Sequence, residues 1–167
     1  YLIDAFALIF RAYYANLRLK NGAALTMARM LLALVNQHKP SHLACVFDRP
    51  EPTFRHEIYP EYKANRAETP QDFRGQVDLI REVLEALNVP VLAVDGFEAD
   101  DVIATLTAQA EGSGFDVAII TGDRDAFQLV SDMVTLIYPV RGVSEVWRMD
   151  PAAVPEKYLV PPERYSD

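Results

Sequence analysis

A single cysteine, Cys45, is all the thiol chemistry in this chain of 167 residues, and it lies inside the apolar run Leu43-Ala44-Cys45-Val46-Phe47. Disulfides and thiolate metal sites are therefore excluded within a monomer. Histidine is scarce as well: His38, His42 and His56 have no metal-ligand spacing and read as surface or structural residues. No apolar stretch approaches the roughly 20 residues that a bilayer requires, and the N-terminus lacks the basic and apolar regions of a signal peptide. No membrane partner is expected. Cationic surplus is missing too, since the net charge is −8, the opposite of the Lys and Arg excess that usually accompanies nucleic-acid binding.

What is present is a core. Half of the residues, 50%, are hydrophobic, enough for residues 1–167 to form one globular domain. Short apolar runs at Tyr1 to Ile3, 43 to 47, Val91 to Val94, Val117 to Thr121 and Val134 to Tyr138 read as strands. Between them, helical spacing marks Asp4 to Ala15, Met27 to Val35, Pro70 to Leu87, Ala99 to Glu111 and Arg124 to Leu129. Strands alternating with helices predict an α/β fold: a mainly parallel sheet with helices on both faces. Gly142 to Met149 reads as a hairpin with an edge strand, and Asp150-Pro151 as a helix cap followed by a proline in the first turn. There is no internal repeat and no low-complexity tract.

The charge has a pattern. Asp4, Asp48 and Asp123 each stand at or one glycine beyond the end of an apolar run, and in open α/β sheets ligands bind outside the carboxyl ends of the strands. Glu98, Asp100, Asp101 and Asp125 complete a set of seven candidate metal ligands. An aspartate after a strand is, taken singly, more often a helix cap or a turn former. Phe97-Glu98-Ala99-Asp100-Asp101 is harder to explain that way, because three acids in four positions repel one another unless cations are present. These seven nearly account for the acidic excess, and two divalent cations would offset four of their charges. Oxygen donors without Cys or His suit Mg²⁺ or Mn²⁺, and two such ions about 4 Å apart are a known device for phosphodiester hydrolysis.

Residues 49 to 70 are polar, rich in proline and interleaved with aromatics, and read as a functional excursion. If its latter half is helical, Tyr59, Tyr62, Lys63 and Arg66 share one face, a stacking and cationic platform suited to single-stranded nucleic acid together with Arg55. A solvated loop with ion pairs to Glu57, Glu61 and Glu68 is the equal alternative by charge alone. Following Asp48 directly, the segment can arch over the acids and carry a cation to a scissile phosphate. Arg11, beyond Asp4, is a candidate second phosphate contact or a surface arginine.

Leu2-Ile3-Asp4 with Phe10-Arg11, Val46-Phe47-Asp48, Phe54-Arg55-His56 through Tyr62-Lys63-Ala64-Asn65-Arg66, Gly96-Phe97-Glu98-Ala99-Asp100-Asp101 and Thr121-Gly122-Asp123-Arg124-Asp125 occur in this order over nearly the whole chain. Together they resemble the metal-dependent 5′-nuclease domain at the N-terminus of bacterial DNA polymerase I, related to flap endonucleases and the PIN-like fold. The resemblance implies cleavage of DNA bearing a free 5′ end, a flap or a nicked duplex with an RNA primer as a variant, in primer removal and repair. By motif position it implies Asp4, Asp48, Glu98 and Asp100 as ligands of a first ion, with Asp101 beside them, and Asp123 and Asp125 at a second. Lys63 and Arg66 match the arch cations at the scissile phosphate, with Tyr62 stacking on a base. A monomer in the bacterial cytoplasm, fused to a polymerase, is expected.

The chain also departs from the family pattern. Ala5 follows Asp4 where Gly or Ser is usual, the segment around Asn16 to Leu25 is short, and Leu159 stands at a helix-ending glycine position. The expectation is a piece truncated before further aspartates and a helix-hairpin-helix element, with an incomplete second ion site and weakened activity. A catalytically silent nucleic-acid binding module is the alternative. An aspartyl-phosphate phosphatase would need an acid where Phe6 stands, and a Toprim-like nuclease would leave Asp48 and the arch without a role.

Overall fold

The computed structural model describes residues 1–64, 69–141 and 145–165. Its strands β1 (Leu2–Asp4), β2 (Ala44–Val46), β3 (Val91–Leu92), β4 (Val117–Ile120), β5 (Val134–Arg141) and β6 (Glu145–Met149) form one sheet in the order β3-β2-β1-β4-β5-β6. The first five run parallel and β6 pairs antiparallel to β5. Parallel neighbours need long crossovers. These are α1 (Ala5–Ala15) with α2 (Gly22–His38), α3 (Phe54–Ile58) with α4 (Gln71–Ala86), α5 (Ala99–Gly112), and a 3-10 turn at Asp125–Leu129; α6 (Ala153–Tyr158) follows β6.

Side chains alternate across a strand, and here the alternation builds two cores. Ile3, Cys45 and Ile120 enter the core covered by α1, α2 and α4, with Leu8, Ile9, Leu31, Phe73, Ile80 and Leu84. Val46 and Ile119 enter the other, with Ile103, Phe127, Leu136 and Val154. A strand buried on both faces keeps polar groups only at its ends: Asp4 is the last residue of β1, and Asp48 lies two residues past β2.

The expected α/β architecture is present, with local differences that tertiary contacts explain. Helix α2 starts at Gly22, earlier than Met27, because the buried Gln76 side chain of α4 accepts the Ala23 N–H at 2.8 Å. A Cβ on Gly22 would lie 2.6 Å from the Asn16 Cβ, so only glycine admits the turn from α1. The Arg124 to Leu129 helix is a 3-10 turn. In the excursion the helix is the earlier part, α3, while 59–64 forms turns with Lys63 at φ 59°, so the helical face proposed for Tyr59, Tyr62 and Lys63 does not form. Arg66 lies outside the described residues. Asp150 does accept the N–H groups of Ala152 and Ala153, at 3.1 and 2.9 Å, before α6 begins.

Leu159 ends α6 in the left-handed region, at φ 64°, with its side chain 88% exposed. A side chain there crowds its own backbone and gains little burial in return. Leu159→Gly should therefore raise stability by about 1 kcal/mol, read as a higher urea or thermal midpoint; an unchanged or lower midpoint would refute the strain.

Candidate metal and nucleic-acid site

The chain winds from β1 to β2 and β3 in one direction and then to β4 and β5 in the other, so the ends of β1 and β4 flank the switch point of the sheet. Asp4 ends β1 and is 4% exposed. One of its oxygens caps α1 by accepting the Ala7 N–H at 3.2 Å, and the other accepts the Thr121 hydroxyl at 2.6 Å. Thr121, just past β4, uses the same oxygen to accept the Asp123 N–H at 3.0 Å. One buried hydroxyl thus ties the two strand ends together. Asp123 in turn accepts the Asp125 N–H at 3.0 Å, and Asp48, after β2, accepts the Ala99 N–H at the start of α5 at 2.8 Å. Capping and site formation are done by the same aspartates.

Asp4, Asp48, Glu98, Asp100 and Asp123 all line one cavity of about 870 Å³. For two of them the cavity penalises the charge. Burial pushes the Asp4 carboxyl up to about 6 against the pull of Thr121 and Ala7, with the charges of Asp48 and Asp123 adding to the rise. Asp100 is pushed to about 7, first by burial and then by Asp4, Asp123, Asp48 and Glu98. As a residue Asp100 remains exposed, so cavity water softens that effect, and Asp4 is the firmer case. Among the described residues no three acids or histidines are drawn around one point as a preformed ion cage; the five carboxylates approach the cavity from four segments, Glu98 and Asp100 sharing the start of α5.

Two of the seven predicted acids are placed elsewhere. Asp101 takes Arg55 in a two-pronged ion pair at 2.6 and 2.8 Å and accepts the Glu98 N–H at 3.0 Å. The Arg55 guanidinium holds this carboxyl below the usual range. Asp125 is exposed and does not line the cavity. Glu98, 8% exposed, accepts Lys63 Nζ at 2.6 Å and the Tyr62 hydroxyl at 3.1 Å. The excursion is therefore pinned to the start of α5 by three of its predicted nucleic-acid contacts, Arg55, Tyr62 and Lys63. Tyr59 stays exposed and donates to Glu61 at 3.2 Å. Arg11 donates to the Val140 carbonyl at 2.6 Å and sits 5.5 Å from the Tyr138 ring, away from the cavity lining.

Residues to which the motifs assigned no role also shape the site. Thr121 is the buried link just described, and α4 contributes Arg74, Asp78 and Arg81 to the cavity wall. Their i, i+4, i+7 spacing was visible, but on an amphipathic helix it is indistinguishable from an ordinary solvent face.

A mainly parallel sheet with acids lining a cavity at its switch point defines an α/β domain with its ligand site outside the carboxyl ends of the strands. Within that class, the chain belongs to the family described as the 5′-3′ exonuclease, N-terminal resolvase-like domain, whose model matches residues 1–159. The chain is 50% identical over 174 residues to DNA polymerase I of Mycobacterium tuberculosis, covering 99% of this chain and 19% of that protein. It is 44% identical over 172 residues to DNA polymerase I of Deinococcus radiodurans, covering 99% and 17%. The chain thus spans about a fifth of the length of these curated relatives. In fold it is similar to T5 5′-exonuclease solved with bound zinc, at a TM-score of 0.74 and 21% identity, covering 98% of this chain and 62% of that one. The catalytic core of Rad2 in complex with a DNA substrate gives a TM-score of 0.57 at 17% identity, covering 97% and 50%.

Because Asp4 holds its proton more tightly folded than unfolded, its contribution to stability is greatest below about pH 4 and is lost as pH rises through about 6. Asp101 acts oppositely, losing its contribution as pH falls below the usual carboxylate range. In a chelator, the thermal midpoint should therefore rise on acidification from pH 7.5 to 5 and fall below about 4. Asp4→Asn should stabilise the protein at pH 7.5 by on the order of 2 kcal/mol and flatten the rise; a variant less stable than the parent at that pH would count against the repulsion.

Proposed function

We propose that this chain is a divalent-metal-dependent nuclease domain that hydrolyses phosphodiester bonds of DNA with a free 5′ end, at flaps or nicks beside a polymerase. The observation that carries the reading is the meeting of Asp4, Asp48, Glu98, Asp100 and Asp123 on one cavity at the switch point, in a member of the 5′-3′ exonuclease family. Oxygen donors alone, under mutual repulsion, fit hard cations such as Mg²⁺ or Mn²⁺. Asp4, Asp48, Glu98 and Asp100 would hold the first ion and Asp123, with Asp125 beside it, the second. The chemistry such ions would supply is Lewis acidity toward water and the offset of negative charge at the leaving oxygen.

The chain's own residues do the rest. Thr121 and the backbone N–H groups of Ala7 and Ala99 orient the carboxylates. Lys63, on the cavity lining, and Tyr62, both bonded to Glu98, would meet a scissile phosphate and an unpaired base, with Arg66 as the second arch cation. Arg55 fixes the root of that segment through Asp101. The polymerase I relatives support a partner polymerase domain and a bacterial cytoplasmic setting. A nucleic-acid binding module of the same fold, without turnover, is the alternative.

Cleavage of a 5′-labelled flap in Mg²⁺ or Mn²⁺ tests both readings. Asp4→Ala and Asp123→Ala should each lower the rate by at least about a hundredfold. Equal cleavage by all three proteins would place the activity elsewhere, and a parent chain that binds the flap without cutting it would select the binding module.

A further inference from the structure

Besides its acids, the cavity is lined by Arg49, His56, Lys63, Arg74 and Arg81. Three of these are already committed. Arg49 pairs with Asp95 at 2.7 Å and Glu51 at 3.1 Å, Lys63 with Glu98 at 2.6 Å, and His56 Nδ1 accepts the Thr53 N–H at 3.1 Å. Among the described residues, neither Arg74 nor Arg81 has an ion-pair partner. Arg81 is nevertheless held in place: its Cζ lies 4.3 Å from the centroid of the Phe47 ring. That ring is 1% exposed, directly precedes Asp48, and meets the edge of Phe6 at a centroid distance of 5.6 Å. Stacking on a buried aromatic fixes the plane of a guanidinium without neutralising it.

We propose that the cavity face of α4 is a phosphate seat for the 5′ strand, with Arg81 as its principal substrate-binding residue and Arg74 as a second contact. A wall of carboxylates repels a phosphodiester, so an unneutralised and positioned guanidinium on the same cavity supplies the attraction that lets the strand enter. The planar fork of Arg suits two phosphate oxygens at once. Arg74 lies seven residues earlier on the same lining face, about 10 Å along the helix axis, a span of about three stacked nucleotides at the rise of one strand. Asp78 lies between them on the cavity wall and halves the charge of the face, which is why the stacked residue is assigned the larger part. The inference rests on the nuclease reading for the identity of the strand.

The test uses the full-length protein and a 5′-tailed duplex. Binding in a chelator is measured against salt, and cleavage in Mn²⁺ is resolved into KM and kcat. Arg81→Gln should weaken binding about tenfold, reduce the slope of log affinity against log salt by about 0.7 to 1, and raise KM with kcat nearly unchanged. Arg81→Lys, which keeps the charge and loses the planar fork, should fall between. Arg164→Gln, an exposed arginine outside the cavity lining, should leave all three readings unchanged. Arg81→Gln with the parent's affinity, slope and KM overturns the seat, and so does weakened binding accompanied by a lowered thermal midpoint, which would mark a merely structural cover for Phe47. A parent protein that leaves the flap uncut while Arg81→Gln still loses affinity and slope refutes the nuclease reading and supports the seat.

Discussion

Like charges forced together at the carboxyl rim of a parallel sheet are the constraint around which this domain is arranged. Five carboxylates line one cavity, and two of them, Asp4 and Asp100, are pushed toward neutrality by burial and by neighbouring carboxylates. Nothing in the packing requires acids there. The fold tolerates them because each of the aspartates at a strand end is held by donors: Ala7 and Thr121 on Asp4, Ala99 on Asp48, and Asp125 on Asp123. Stabilisation of carboxylates by backbone N–H groups lets the sheet carry a charge density that side chains alone would push apart.

The same logic governs the excursion between β2 and β3. Its cations are drawn to the acids at the start of α5, Arg55 to Asp101 and Lys63 to Glu98, so a segment with few buried residues gains a defined path over the cavity. Two roles are thereby separated within one acidic cluster: Asp101 anchors the root of the segment, while Glu98, Asp100 and their strand-end partners face the cavity.

Much of this was legible in the residues, for identifiable reasons. The strands announce themselves as apolar runs closed by an aspartate, and an acid in that position can only lie on the rim, so the family and the main acids were readable together. What could not be read was direction. Asp100 and Asp101 are neighbours of one type, and only an arginine 46 positions away decides which one leaves the cavity. The proposed helix through Tyr59 and Lys63 failed because Lys63 turns into the left-handed region to reach Glu98, a long-range pull that local spacing does not reveal. The early start of α2 depends on Gln76, more than 50 residues downstream. The arginines of α4 looked like solvent face until the sheet placed a cavity beside them.

Strands β1 and β2 are only three residues long, and at the end of each a buried side chain stands next to one on the rim: Ile3 beside Asp4 within β1, and Phe47 beside Asp48 just past β2. One peptide unit is the whole lever arm between hydrophobic packing and chemistry. A methyl group lost or gained under the sheet therefore has no length of strand over which to dissipate, and a change in interior volume is transmitted to the spacing of the carboxylates. In such an architecture the interior acts as the mould for the cavity, and tolerance to apolar substitution should be lowest under the short strands that lead into carboxylates, β1 and β2.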